Sequence, residues 1–482
     1  VKDKETLYAE RLARYRTAMR NDQPDKIPIR PFVAEFAAKY AGLTCQQVTH
    51  DYNLAFAAVR KCAADFDWDA VVPNMVYVWT GLTQALGLTY YAVPGIDIPP
   101  DVGFQYLEPD EEHAFMKADE YDELIDDPTA FLYNVWLPRV STDVSPQPDS
   151  QHARYRNNVA LVKAAMAMLQ YFHDFAPQVE ALRRECGTVS AIAGILKAPF
   201  DILADKLRGY IGLTMDMVTQ PGKVLEACEA LMPHLLHTAL STADPARQVP
   251  VGFWMHRGCK PFISHGWFES HYWPTTKPII EELWRNNVQT LFYAEGDWNA
   301  HLDHFAELPE GSIIYHVDRG DIFEVSRKLG HKFCLSGGIP NFLLAYGTPS
   351  EVRDYTKMVI DGVATEGGYI LDASAIMQND TSVENLRVLT DFAREYGVYS
   401  QGHTDSANYG TEPGKTHRTE NPPGNHADAV HNLASRVGTC VPWEDKRREI
   451  PAITGDEDIL RYVWEQVDGL GNMFIWQVLE SF

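Results

Sequence analysis

Short runs rich in Val, Ile, Phe and Tyr recur along the chain between longer stretches whose apolar residues fall three or four apart. That alternation is the pattern of a parallel sheet wrapped by helices. The runs fall at 27–32, 70–78, 188–196, 250–256, 289–295, 312–316, 332–337 and 368–372. Between them, 274–286 and 350–365 carry helical spacing, and Thr348-Pro349-Ser350-Glu351 has the form of a helix start. Strands and helices in this number and order predict an α/β fold, a closed (β/α)8 TIM barrel.

Three stretches exceed a minimal barrel. Residues 94–127 are acidic and carry Pro94, Pro99, Pro100 and Pro109, which predicts a long N-terminal surface excursion ending in a short helix. Residues 141–150 read as a loop. Residues 403–451 are rich in Gly, Pro, Asn, Thr and His, which suits a lid, an interface arm or a tolerated extension, and a well-patterned helix follows at 456–467. The division expected is a barrel over 1–400 and a C-terminal extension over 401–482, a loop arm plus terminal helix. The aromatic end, with Phe474, Trp476 and Phe482, calls for cover by the barrel or a second subunit.

Charge narrows the partners. With 42 Lys+Arg against 66 Asp+Glu the formal net charge is −24, which disfavours nucleic acid and anionic membranes as partners. No window approaches the eighteen or so apolar residues of a membrane span, and Val1–Arg20 lacks the apolar middle of a secretion signal, so a cytoplasmic location is expected. The seven cysteines are scattered and form no C-x-x-C pair, which reads as buried small apolar residues.

In a barrel of this kind the working residues stand at the carboxyl ends of the strands. Three runs end in such residues: Trp254-Met255-His256-Arg257-Gly258, Tyr293-Ala294-Glu295-Gly296-Asp297-Trp298 and Tyr315-His316-Val317-Asp318. Imidazole and carboxylate suit a divalent cation and also acid or base work near neutral pH, so both chemistries stay open. His316 and Asp318, two apart, are expected to share a side of the strand. Glu295, His316 and Asp318 are the candidate catalytic and metal-binding residues. His256 is a candidate to hold substrate, with Trp254, Tyr272 and Trp298 as an apolar wall and Gly337 admitting close backbone approach. Each has a bland alternative: a capping carboxylate, a core histidine, a packed aromatic, a tight turn. Solvated loop residues are the favoured reading of His403, His417, His426 and His431.

The chain resembles the uroporphyrinogen decarboxylase superfamily from about residue 25 to 399, and more narrowly its corrinoid-linked methyltransferase-like branch. The resemblance rests on an ordered series: Asp25-Lys26-Ile27-Pro28-Ile29, Ala118-Asp119-Glu120-Tyr121-Asp122-Glu123-Leu124-Ile125, Ala198-Pro199-Phe200-Asp201-Ile202-Leu203, Tyr272-Trp273-Pro274, Glu295-Gly296-Asp297-Trp298, Gly347-Thr348-Pro349-Ser350-Glu351 and Gly367-Gly368-Tyr369-Ile370-Leu371. It implies a TIM barrel and a homodimer. It also implies one of two activities, decarboxylation of a tetrapyrrole or zinc-dependent methyl transfer between a corrinoid and a thiol. The decarboxylases carry an arginine-rich motif after the first strand, where this chain has only Arg30, with Glu35 close by. The methyltransferases hold zinc through a His-x-Cys pair and a later Cys; the matching positions here are His316, Asp318 and Ala373-Ser374. The histidine is kept and both thiolates are absent.

These departures favour methyl transfer from an O- or N-methyl small molecule to cobalamin on a corrinoid protein partner, with zinc at Glu295, His316 and Asp318 a weaker expectation. The alternative is a metal-assisted decarboxylase or lyase acting on a small carboxylated substrate. A third reading is a non-catalytic barrel whose 403–451 arm serves assembly.

Overall fold

The computed structural model describes residues 3–73, 80–110, 112–144, 151–399 and 436–481. Residues 74–78 of the second run, 145–150 of the second loop, most of the 403–451 arm and its four histidines lie outside the described residues. The strands are β1 (Ala70–Val71), β2 (Tyr91–Ala92), β3 (Gln105–Tyr106), β4 (Val189–Ser190), β5 (Ile195–Lys197), β6 (Val251–Met255), β7 (Thr290–Ala294), β8 (Ile313–Val317), β9 (Cys334–Gly337) and β10 (Tyr369–Ile370). A parallel six-stranded sheet runs in the order β10-β9-β8-β7-β6-β5, beside a parallel β1-β4 pair. The fold is therefore α/β with a parallel sheet.

The expected single closed sheet of eight strands is corrected at its first three members. Run 27–32 contributes isolated contacts, a bridge from Ile29 to Leu371 and hydrogen bonds from Ala70 N–H to the Ile29 carbonyl (3.2 Å) and Val72 N–H to the Pro31 carbonyl (3.4 Å). Pro28 and Pro31 have no N–H to donate, so a regular ladder is not available to this segment. Run 188–196 splits into β4 and β5, and Ala191 N–H to the Val71 carbonyl (2.9 Å) and Ala193 N–H to the Pro250 carbonyl (3.0 Å) carry the succession on to β6.

Every residue of β6, β7 and β8 is buried, as expected for strands covered on both faces. Their side chains alternate between two cores. Trp254, Leu291, Tyr293, Ile314, Cys334 and Ile370 pack with Phe32 and with Tyr15 of the helix Lys4–Met19. Phe253, Met255, Phe292 and Tyr315 face the surrounding helices.

The crossovers form where the spacing predicts, as helices Trp273–Arg285 and Pro349–Val363. At the latter, Thr348 Oγ1 accepts from Glu351 N–H (3.3 Å) and Glu351 Oε2 accepts from Thr348 N–H (2.8 Å), a complete capping box. The 94–127 excursion holds β3, which pairs antiparallel with β2, and the short helix Tyr121–Asp126. The terminal helix runs well past 467, over Glu457–Glu480, with Trp476 stacked on His234 at 4.6 Å and its indole N–H on Thr129 Oγ1 (3.1 Å). Among the described residues no helix is long and apolar enough to cross a membrane. Six cysteines are buried and Cys440 is partly so.

Candidate active site

Four successive strands deliver charged side chains to one region past their carboxyl ends. After β5, Pro199 starts the helix Pro199–Ile202, which continues as a π-helical turn Leu203–Leu207. Asp201 and Asp205 are four apart on that element and point to one side. β6 is followed directly by His256 and Arg257, β7 by Glu295 and β8 by Asp318.

His256 is the centre of the group. Its Nε2 lies 2.9 Å from Asp205 Oδ2, and its Nδ1 faces Asp201 Oδ1 at 3.6 Å and Glu295 Oε2 at 3.7 Å. The side chain is 24% exposed, and Nδ1 has no hydrogen-bond partner. Burial works against the charged imidazole, but Asp205, Asp201 and Glu295 outweigh it and raise the His256 pKa above the usual histidine value. Asp205 is fully buried against that cost, and His256, Lys197 and Arg257 hold its carboxyl well below the usual range.

The carboxylates are fixed from behind. Asp201 Oδ1 accepts the backbone N–H of His256 (2.9 Å) and of Arg257 (3.0 Å), and Oδ2 accepts the Tyr272 hydroxyl (2.7 Å). Asp205 Oδ1 accepts Arg257 Nε–H (2.7 Å). Asp318 Oδ2 accepts Gly296 N–H (2.8 Å), at a residue whose φ of +91° suits glycine and where a Cβ would stand 2.4 Å from Cys259 Sγ. Burial, with the neighbouring Glu295 charge, pushes the Asp318 carboxyl up to about 6, against the Gly296 hydrogen bond and Arg319. The site therefore pairs an imidazole whose charged form is favoured by three carboxylates with a carboxyl lifted to about 6.

His316 does not join this group. It is wholly buried in an inward-facing row set by the strand register, Trp254 with Tyr293, Tyr293 with His316, and His316 with Ser336. Its ring stacks on Tyr293 at 4.2 Å, which stacks on Trp254 at 4.1 Å. Nε2 lies 2.7 Å from the Ser374 carbonyl, which only accepts, so the proton sits on Nε2. Nδ1 then accepts from Ser336 Oγ (2.9 Å) and Arg30 Nη2 (3.3 Å). Burial and the Arg30 charge lower the His316 pKa, and the ring is neutral. Arg30 in turn lies 3.0 Å from Asp372 Oδ2, both fully buried.

The metal set expected at Glu295, His316 and Asp318 is corrected accordingly: both His316 nitrogens are engaged inside the sheet, and Asp318 turns to the Gly296 amide. Among the described residues, donor atoms close enough to share an ion occur in Asp201, Asp205 and His256 and in His265, Glu269 and His304. A zinc ion at the position the resemblance implies does not fit this arrangement.

Of the five expected substrate contacts, His256 stands in the site, while Trp254, Tyr272 and Trp298 are packed in the core and Gly337 occupies a tight turn. Trp254, Tyr272 and Trp298 are at most 2% exposed. Tyr272 spends its hydroxyl on Asp201, and Trp298 donates its indole N–H to the Glu295 carbonyl (2.7 Å). Gly337, at φ +79°, leaves no room for a Cβ, which would stand 2.5 Å from the Val317 carbonyl. Asp201, Asp205 and Lys197 were not singled out by sequence reasoning; the four-residue spacing behind Pro199 marks Asp201 and Asp205 as a carboxylate pair but not their meeting with His256, and nothing local marks Lys197.

A parallel α/β fold with acid–base side chains gathered past the strand ends defines a class of enzyme-like sites. The model of the uroporphyrinogen decarboxylase (URO-D) family matches residues 142–396, more than half of the sequence, and the chain belongs to that family. A solved structure, a methyltransferase from Methanosarcina mazei, superposes with a TM-score of 0.52 over 80% of this chain and 98% of that one, at 15% identity. The likeness is one of fold, and both comparisons imply the TIM barrel. No curated protein sequence matches the chain.

Proposed function

We propose that the protein transfers a methyl group from an O- or N-methyl small molecule to cobalamin held on a separate corrinoid protein. The observation that carries this is His256: an imidazole within 3.7 Å of Asp205, Asp201 and Glu295, which raise its pKa, with a partly exposed side chain and a buried Nδ1 that has no hydrogen-bond partner. When methyl leaves an ether, the electron pair of the broken C–O bond stays on oxygen, and a positioned acid is what that oxygen requires. The partly exposed His256 ring supplies the proton, the corrinoid accepts the methyl group, and Asp318, lifted to about 6, is a second proton store beside Glu295. For an N-methyl donor the same proton goes to nitrogen. Thiolate activation by zinc is not part of the scheme, because the residues at the implied zinc position do not form a ligand set.

Two arginines support this reading over tetrapyrrole decarboxylation. Arg30 is fully buried beside Asp372, and Arg257 pairs with Asp205 and Glu108, so neither is displayed to a polycarboxylate. A homodimer is part of the proposal: Ile459, Val463, Val467 and Leu470 lie exposed on one stripe of the terminal helix. The test is to mix purified protein with Co(I) corrinoid and a panel of methyl ethers and methylamines and to record the absorption spectrum. Methyl-Co(III) is expected with at least one donor. No spectral change across the panel, with carbon dioxide released from a carboxylated compound instead, would replace methyl transfer by a lyase activity.

A further inference from the structure

A second group of donors lies on the loops that follow β6 and β7, separate from the His256 cluster. His265 and Glu269 are four apart on the short helix His265–Trp267 and its π-helical continuation Phe268–Tyr272, with Ser264 capping the start. His304 comes from the helix Leu302–Phe305 of the next loop. Glu269 Oε1 lies 3.5 Å from His265 Nε2 and 3.3 Å from His304 Nε2. Charge-assisted hydrogen bonds are shorter, about 2.7–2.9 Å. Donors at the corners of a tetrahedron around zinc, with bonds of about 2.0–2.1 Å, stand about 3.3–3.4 Å apart. All three donor atoms fall within 4.8 Å of one another.

The supporting side chain is built as well. His301, fully buried, sets its Nδ1 3.2 Å from His265 Nδ1 and stacks on Phe268 at 3.7 Å. A partner on Nδ1 fixes the ring and leaves Nε2 to the ion, the usual arrangement of a metal-binding histidine. His265 and Glu269 are about half exposed, so the remaining coordination position opens to water.

We propose that His265, Glu269 and His304 bind one borderline divalent cation of the Zn2+ or Co2+ kind, with His301 orienting His265. The ion clips the loop after β6 to the loop after β7. Those loops also carry Tyr272, which holds Asp201, and Trp298, which holds the Glu295 carbonyl. The proposal stands independently of methyl transfer. Chelator-treated protein is titrated with Co2+ alone while the visible d–d absorption of tetrahedral cobalt is followed. One equivalent is expected to bind, with affinity reduced at least tenfold in Glu269→Gln and in His265→Ala, both on half-exposed side chains. His256→Gln is expected to bind as wild type does. Absence of saturable binding, or binding that survives both loop variants, or binding that disappears with His256→Gln, overturns the site.

Discussion

His256 Nε2 sits 2.9 Å from Asp205 Oδ2 while its Nδ1 faces two further carboxylates without a hydrogen bond to either. One nitrogen pairs with Asp205, and the other is buried between two carboxylates without a hydrogen bond, so the ring holds a proton that no neighbour has taken up. Substitution by Gln, which keeps an amide in place of the ring, is expected to lower the rate of methyl transfer about 10²–10⁴-fold, with little change in thermal unfolding. An unchanged rate in stopped-flow spectroscopy would remove His256 from the chemistry.

The same residue makes stability depend on pH. Its folded pKa lies above the unfolded value of about 6.5. The stabilising contribution is therefore fully present below that value and is lost as pH rises through the folded pKa. Melting temperatures taken from pH 6 upward are expected to fall more for wild type than for His256→Gln. Parallel curves would show that the three carboxylates do not hold a charged ring.

Asp318 carries the opposite sign. An acid lifted to about 6 by burial is penalised as pH rises from about 4 to 6, because the unfolded chain ionises first. Asp318→Asn removes that penalty and can still accept the Gly296 N–H. The variant is expected to be more stable than wild type at pH 7, by about 1–2 kcal/mol after allowance for solvent screening, and equal to it at pH 4. Chemical denaturation at the two pH values distinguishes this from a loss at both.

Arg30 and Asp372 form a buried ion pair in which burial pushes the Asp372 carboxyl up to about 7 against the pull of Arg30. Asp372→Ala leaves the guanidinium without a counter-charge and is expected to cost about 3–5 kcal/mol. Arg30→Met with Asp372→Ala together is expected to recover part of that loss. A single variant as stable as wild type in urea would mean that the pair is not closed inside the sheet.

His316→Ala is expected to act through folding. It removes a stacked, fully bonded ring and orphans the Ser374 carbonyl, at a cost of about 2–4 kcal/mol, without changing the amount of Co2+ or Zn2+ bound per chain. Loss of a bound equivalent with unchanged stability would restore His316 as a ligand.

Much of the fold was legible because strands buried on both faces read as apolar runs, as at 250–256, 289–295 and 312–316, and because Thr348 and Glu351 announce a helix by a local pairing. The first strand misled because its apolar residues hide two prolines that cannot donate to a ladder. At the site, Glu295, His256 and Asp318 stand past the strand ends, where a parallel fold places its chemistry. His316 stands one step earlier, in register with Tyr293 and Ser336, and so points into the sheet interior. The expectation that His316 and Asp318 share a side assumed that the strand continues; it ends at Val317, and Asp318 turns to the Gly296 amide. Asp201 and Asp205 meet His256 only through tertiary packing, which no local pattern records.

The most direct test is the pH dependence of methyl-Co(III) formation, measured under single-turnover conditions with saturating donor for wild type and His256→Gln. Proton donation by His256 predicts a wild-type rate that is level at low pH, falls above the raised histidine pKa, and loses that inflection in the variant. An inflection that persists in His256→Gln, or a rate that rises with pH through the same range, would contradict it.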